Sequence, residues 1–306
     1  MGNIETEARL SGARASAGMR PVSARRIPSV GQPAVEERCW LIEEQALFIE
    51  VAEVGLYTLM WTRTDTAAAS GFMPGLGVLG DVPEPDALAL TIGFLLTEGM
   101  IDRLDDIAEL AVCPEAAEVV RVVLTHPAQV RTNRQGGFVA SSCGACGPVE
   151  NIADLRAGLT PVGDTLRVEP RQLQQMMTAM EARQRLFNRT GGAHAAAVFS
   201  PRAELLATAE DLGRHNALDK AIGQCLLRGQ ATAGCGVLMS GRVSLEMIVK
   251  AARAGIELVA AVSAPSSLAV EAAAALAITL CGFVRDGRLT AFSHPRRVRR
   301  PIENTP

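Results

Sequence analysis

Gly236-Val237-Leu238-Met239-Ser240 is a short apolar run ending in a hydroxyl, and the chain after it repeats the same plan. Residues 243–254 place Leu245, Ile248, Val249 and Ala252 at core spacing on one helical face, with Glu246 set to support Lys250 one turn on. Gly255 stops that helix. Residues 257–263 form a second apolar run ending in Ser263, 266–277 a second helix and 279–284 a third strand, and Asp286-Gly287 turns the chain into a last strand at 289–292. Strand, helix and strand in repeated succession predict parallel strands joined by right-handed crossovers, and so a three-layer α/β/α domain. Upstream of this core, 172–188 and 216–227 read as helices. Residues 195–199 and 204–208 read as a hairpin around Ser200-Pro201.

The first half is less regular. Residues 47–54 and 57–61 read as strands separated by a Gly55 turn, 71–85 as a loop rich in Gly and Pro, 86–99 as a helix capped by Asp86 and stopped by Gly99, and 119–124 as a strand. The domain plan is a flexible tail over 1–38, an α+β subdomain over 39–148 and the α/β domain over 149–306.

With 306 residues, 48% of them hydrophobic, the chain is large enough for one big domain or two smaller ones. A net charge of -3 gives no general reason to expect nucleic acid or an anionic membrane as partner. The basic run Pro295-Arg296-Arg297-Val298-Arg299-Arg300-Pro301 reads as solvated, and the longest apolar runs are Ala-rich and interrupted, which suits core rather than membrane. Seven cysteines, an odd number mostly placed singly in apolar surroundings, suit a reduced cytoplasm. Only Lys220 and Lys250 are lysines.

Five stretches carry chemistry. Ser142-Cys143-Gly144-Ala145-Cys146-Gly147 sets two thiols three positions apart among Gly, Ala and Ser, a pattern open to metal binding, dithiol redox or persulfide transfer. No second C-x-x-C or H-x-x-x-H exists to complete a metal site, so none is expected, and the glycines favour a swinging loop. At the two strand-to-helix junctions, Ser240-Gly241-Arg242 and Ser263-Ala264-Pro265-Ser266-Ser267 offer hydroxyls, a guanidinium and helix N-termini, which suit a phosphate or plain N-capping. Glu210 to Lys220 crowds charges of both signs around Arg214 and His215 at a helix start, readable as a site or as a salt-bridge network. Gly191-Gly192-Ala193-His194 allows close backbone approach to a ligand, although a lone histidine is more often structural.

These stretches, together with Gly282-Phe283-Val284-Arg285, occur in an order that resembles the FdhD family of formate dehydrogenase accessory sulfurtransferases over about 86–298. The resemblance implies a cytidine-deaminase-like three-layer α/β/α C-terminal domain with a smaller mixed α+β N-terminal subdomain, and a homodimer. It also implies transfer of persulfide sulfur from a cysteine desulfurase to the molybdenum bis(molybdopterin guanine dinucleotide) cofactor, bound as substrate, for formate dehydrogenase. On that reading Cys143 carries the persulfide and Cys146 assists its transfer or release. His194, Arg214, His215, Arg242, Ser263, Ser266 and the segment Phe283-Val284-Arg285-Asp286-Gly287-Arg288 hold the cofactor, with guanine nucleotides such as GDP as further ligands. The chain departs from the family pattern at Glu53-Val54-Gly55, at Thr62-Arg63 and in an insertion over 67–85. The rival readings are a zinc-dependent deaminase-like hydrolase, which needs an H-x-E where this chain has His194-Ala195-Ala196, and a nucleotide-binding chaperone without sulfur chemistry.

Overall fold

The computed structural model of the chain describes residues 17–31, 33–65, 70–80, 82, 84–113, 115–130, 137–139 and 158–299. Strands β1 (Met19–Arg26) and β2 (Val35–Ile42) form an antiparallel ladder, which corrects the reading of a flexible tail over 1–38 for its residues from Met19 on that the structure describes. Solvent faces most of this ladder, so it lacks the alternation by which a half-buried strand is recognised. It is anchored where Met19, Trp40 and Ile42 pack on Leu186 and Ala193, and the Arg189 guanidinium lies 4.1 Å over the Trp40 ring.

Next come β3 (Gln45–Val51), β4 (Gly55–Trp61), β5 (Gly71–Met73), β6 (Gly77–Leu79), helix α1 (Asp86–Thr97), β7 (Ile107–Cys113), β8 (Ala116–Leu124) and β9 (Gly137–Val139). They form a seven-stranded sheet in the order β6-β5-β7-β8-β3-β4-β9. The stretch read as a loop over 71–85 thus holds a small hairpin, and β7 is an additional strand. Along β3 and β4 the inward residues Leu47, Ile49, Val51, Tyr57, Leu59 and Trp61 are buried. All twelve residues of α1 are buried as well, because the helix is covered on both sides. Asp86 is the first helical residue rather than the cap, a position taken by Pro85, while Gly99 just beyond the helix has the left-handed φ of 73° expected of a stop.

The second half comprises α2 (Pro170–Glu181), α3 (Arg185–Thr190), β10 (His194–Phe199), β11 (Leu205–Asp211), α4 (Arg214–Leu227), β12 (Gly236–Met239), α5 (Leu245–Arg253), β13 (Leu258–Ala261), α6 (Ser267–Ala275), β14 (Thr279–Arg285) and β15 (Arg288–Ser293). The single helix expected over 172–188 is two, because the Glu210 carboxylate accepts the Leu186 and Phe187 N–H groups, each at 2.9 Å, and so starts α3 afresh. The sheet order is β11-β10-β12-β13-β14-β15; β12, β13 and β14 are parallel, and the outer pairs are antiparallel.

One face of this sheet, with Ala197, Phe199, Leu238, Leu258 and Ala260, packs under Leu173, Met176, Met177 and Met180 of α2. The other face packs against α4, α5 and α6, so the three-layer expectation holds. The boundary expected at 148/149 lies outside the described residues, but the second core joins the two halves. Helix α1 crosses α4 with backbones touching: a Cβ on Gly93 would stand 1.9 Å from the Asp219 carbonyl oxygen, and one on Gly223 1.9 Å from that of Ala89.

At the amino edge of the parallel strands, Arg297 is fully buried, which corrects the reading of the whole basic run as solvated. Its Nε donates to Glu257 at 3.1 Å, and its Nη1 donates to the Ala277 carbonyl at 2.8 Å and to the Thr279 hydroxyl at 3.1 Å; Nη2 donates to the Gly163 carbonyl. Glu257 also accepts the N–H groups of Thr165 and Leu166, each at 2.8 Å on Oε2.

Candidate functional site

Parallel strands present their carboxyl ends at one edge, and there the loops into the next helices leave N–H groups unpaired. Two junctions meet at that edge: a bridge joins Val243 to Pro265, the Val243 N–H donates to the Ala264 carbonyl at 3.3 Å, and the Ser266 N–H donates to the Val243 carbonyl at 2.9 Å. Because β10 runs antiparallel to β12, its first residue His194 returns to the same edge. Ser240 there receives the Ala195 N–H on its hydroxyl at 2.8 Å and returns its own N–H to the Ala195 carbonyl at 3.0 Å. Gly241 packs closely on this histidine, since a Cβ there would stand 3.0 Å from His194 Nδ1. Beside β10, β11 ends at Asp211 opposite His194, and the chain turns at Gly213 into the first turn of α4, with Arg214 and His215.

Two guanidiniums and two imidazoles therefore gather around one sheet edge. Burial first, then the charges of Arg214, Arg242 and His215, hold the His194 imidazole below its ordinary pKa against the opposing pull of Asp211. That response marks a positive local potential, the condition an anionic ligand needs. His215 Nε2 lies 3.1 Å from the Glu246 carboxylate. Glu246, which its spacing set beside Lys250, reaches His215, while Lys250 turns inward to Asp219 at 2.8 Å and Glu98 at 3.1 Å.

The remaining expected residues divide. Ser263 sits at the second junction, where its carbonyl accepts the Phe283 N–H at 3.3 Å. The Ser266 hydroxyl caps α6 by accepting the Ala269 N–H at 3.2 Å, so the plain capping account holds for it. Phe283 is 40% exposed with φ 56°, a left-handed backbone rare for an aromatic residue, and its ring centroid lies 6.3 Å from that of Phe292. Val284 is buried under α2 and offers a ligand only its backbone. Arg285 and Arg288 face each other across the Asp286-Gly287 turn, whose φ values of 53° and 72° suit a two-residue hairpin, and both arginines are exposed.

Within Glu210 to Lys220 the two readings prove to be shared between residues. Arg214 and His215 face the site edge, while Glu210 caps α3 and Asp211, Asn216, Asp219 and Lys220 are buried in contacts with α1, β4 and α5. Gly241 was expected at the first junction, whereas Glu246, read from the sequence only as a partner of Lys250, and Phe292 also belong to the neighbourhood.

Cys143 and Cys146 lie outside the described residues. Strand β9 ends four residues before Cys143 and pairs parallel with β4, Val139 opposite Leu59. Beyond Leu59, β4 runs to Trp61, and the N–H of the next residue, Thr62, donates to Asp211 at 3.0 Å, next to the first turn of α4. Elsewhere burial pushes the thiols of Cys225 and Cys281 up to about 12 and that of Cys235 upward, which leaves these three as unreactive packing groups.

The model of the FdhD/NarQ family matches residues 82–299. A sulfur carrier protein FdhD of Thermoplasma acidophilum is 38% identical over 240 residues, covering 76% of this chain and 83% of the relative. That of Streptomyces avermitilis is 39% identical over 226 residues, covering 70% and 80%. The crystal structure of a candidate formate dehydrogenase accessory protein from Desulfotalea psychrophila matches with a TM-score of 0.66 over 92% of this chain and 99% of its own; at 21% identity it shows a shared fold. The matched span runs from α1 through the His194, Arg214 and Arg242 edge to the last strand, and the chain belongs to the FdhD/NarQ family.

Proposed function

We propose that this chain is a cytoplasmic sulfur carrier that takes persulfide sulfur from a cysteine desulfurase and delivers it to the molybdenum bis(molybdopterin guanine dinucleotide) cofactor of a formate dehydrogenase, working as a homodimer. The observation that carries the reading is the cationic sheet edge of His194, Arg214, His215 and Arg242. It lies beside the strand pair from which the Cys143 segment departs. A thiolate carrier needs an anion-binding surface within its reach if its acceptor bears phosphates, and guanidiniums at helix N-termini are suited to phosphates.

In the first step the Cys143 thiolate attacks the outer sulfur of the donor persulfide; a new S–S bond forms, the donor S–S bond breaks, and the donor leaves as a thiolate. In the second, the Cys146 thiolate attacks the Cys143 sulfur, forming a Cys143–Cys146 disulfide and releasing hydrosulfide to the acceptor; a cellular thiol reductant restores the dithiol. Arg214, Arg242 and the backbone at Ser263 and Phe283 would hold the phosphates and one nucleotide end of the cofactor, or a guanine nucleotide such as GDP. Mass spectrometry after incubation with a desulfurase and cysteine tests the first step. A one-sulfur adduct on the wild type that is lost in Cys143→Ala supports it; an adduct retained in that variant excludes it.

A further inference from the structure

The chain has only two lysines among its 30 Lys and Arg residues, and both are buried between the two halves. Lys220 Nζ, with no exposed side-chain surface, donates to the Thr62 carbonyl at 2.5 Å, pairs with Asp211 at 3.0 Å and Asp86 at 3.4 Å, and lies 4.9 Å from the Trp61 ring centroid. Asp211 accepts the N–H of Thr62 at 3.0 Å, the N–H of Gly213 at 2.9 Å and the side-chain amide of Asn216 at 3.0 Å. Asn216 donates in turn to the Met60 carbonyl at 2.8 Å. A single ammonium thus joins the end of β4 to the first turn of α4.

Those two pieces are the ones the site needs in register. Strand β4 pairs with β9, the last described strand before the cysteine pair, and the first turn of α4 carries Arg214 and His215. We propose that Lys220 is a positioning residue of the site: by locking Asp211 between the end of β4 and the first turn of α4, it sets where Arg214 and His215 stand relative to the strand that leads to Cys143. The proposal rests on the reading of the His194, Arg214 and Arg242 edge as an anion site. A compact ammonium can direct its protons at three acceptors on different elements, whereas a planar guanidinium cannot fit the same enclosure, which accounts for lysine in a chain otherwise built with arginine. Loss of the ammonium strands the Asp86 and Asp211 charges in the interior, next to an anion-binding edge.

Lys250 supplies the control. It is nearly as enclosed, with 6% of its side chain exposed, and it binds Asp219, Thr97 and Glu98 farther along the α1–α4 seam. Lys220→Met, Lys220→Arg and Lys250→Met in the full chain should be compared by urea unfolding, by NMR titration of the His194 ring and the amides of 213–216, and by calorimetry with GDP. Lys220→Met should raise the His194 pKa, shift the 213–216 amides and weaken GDP binding at least tenfold. Lys220→Arg should not restore them. Lys250→Met should lose stability but leave all three site readouts within twofold or unshifted. If Lys220→Met does not fold, Lys220→Met with Asp86→Asn, which removes one stranded charge, is titrated instead. The proposal is overturned if the His194 titration and the 213–216 amides stay at wild-type positions, or if Lys250→Met moves them equally. If the wild type binds no GDP, the anion-site reading falls, and the NMR readouts still decide the role of Lys220.

Discussion

Replacing Gly93 by Ala should destabilise the protein, although Gly→Ala inside a helix ordinarily stabilises it by about 1 kcal/mol. The added Cβ would lie 1.9 Å from the Asp219 carbonyl oxygen, while carbon atoms of this kind essentially never approach within 3.0 Å, so the α1 and α4 backbones must part by about 1 Å. A gap of that size forfeits roughly a quarter to a half of each dispersion contact across the seam. Overpacking that shifts backbone costs about 1–3 kcal/mol, and at the upper end of that range, less the roughly 1 kcal/mol of helix propensity, the net loss should be about 2 kcal/mol. Gly223→Ala meets the Ala89 carbonyl at the same 1.9 Å and should cost as much. The double variant should cost less than the sum, because either methyl alone opens the same seam. Urea unfolding followed by the fluorescence of buried Trp61 measures all three. A Gly93→Ala protein as stable as the wild type would refute the close crossing of α1 and α4.

Glu257 responds to pH with a definite sign. Burial works to raise its pKa, but the Leu166 and Thr165 N–H groups, the Thr165 hydroxyl and Arg297 together hold it below the usual carboxylate range. A depressed folded pKa contributes stability that is present above the unfolded value of about 4.3 and lost as pH falls through the folded value. Arg297→Met should therefore cost about 3–5 kcal/mol at neutral pH and move the acid unfolding limb to higher pH, as circular dichroism against pH would register; an unmoved limb excludes the pairing. Arg242→Ala should weaken GDP by about 10- to 100-fold in calorimetry while leaving persulfide loading intact; unchanged affinity moves the anion site elsewhere. Cys143→Ala should abolish activation of formate dehydrogenase, whereas Cys225→Ala and Cys235→Ala should alter the unfolding midpoint alone; impaired sulfur transfer in either of the latter would contradict their packing role.

The run from β12 to β15 was legible because its signals are local: apolar strands, helical spacing and the glycines at 255 and 287 lie within a few residues of what they determine. The order of motifs from Ser142 to Arg285 was enough to point to the family. Elsewhere the deciding partners are distant in sequence. Hairpin β1–β2 leaves most of its surface in solvent, so no alternation announced it, and its anchor on Leu186 and Ala193 is a tertiary contact. Helix α3 begins where it does because Glu210, more than twenty residues later, caps it. The charge-dense stretch from Glu210 to Lys220 looked uniform as a sequence, yet helical geometry turns Asp219 and Lys220 inward against α1 and β4 while Arg214 and His215 remain at the site edge. Likewise Glu246 sat at salt-bridge spacing from Lys250 and reaches His215, while the largely buried Lys250 ammonium is matched by the buried carboxylates of Asp219 and Glu98 on other elements. Sequence thus determined which chemistry the chain carries and the local elements that bear it. Tertiary packing decided which charges bind a ligand and which hold the halves together, because burial and long-range partners set the cost of each charge.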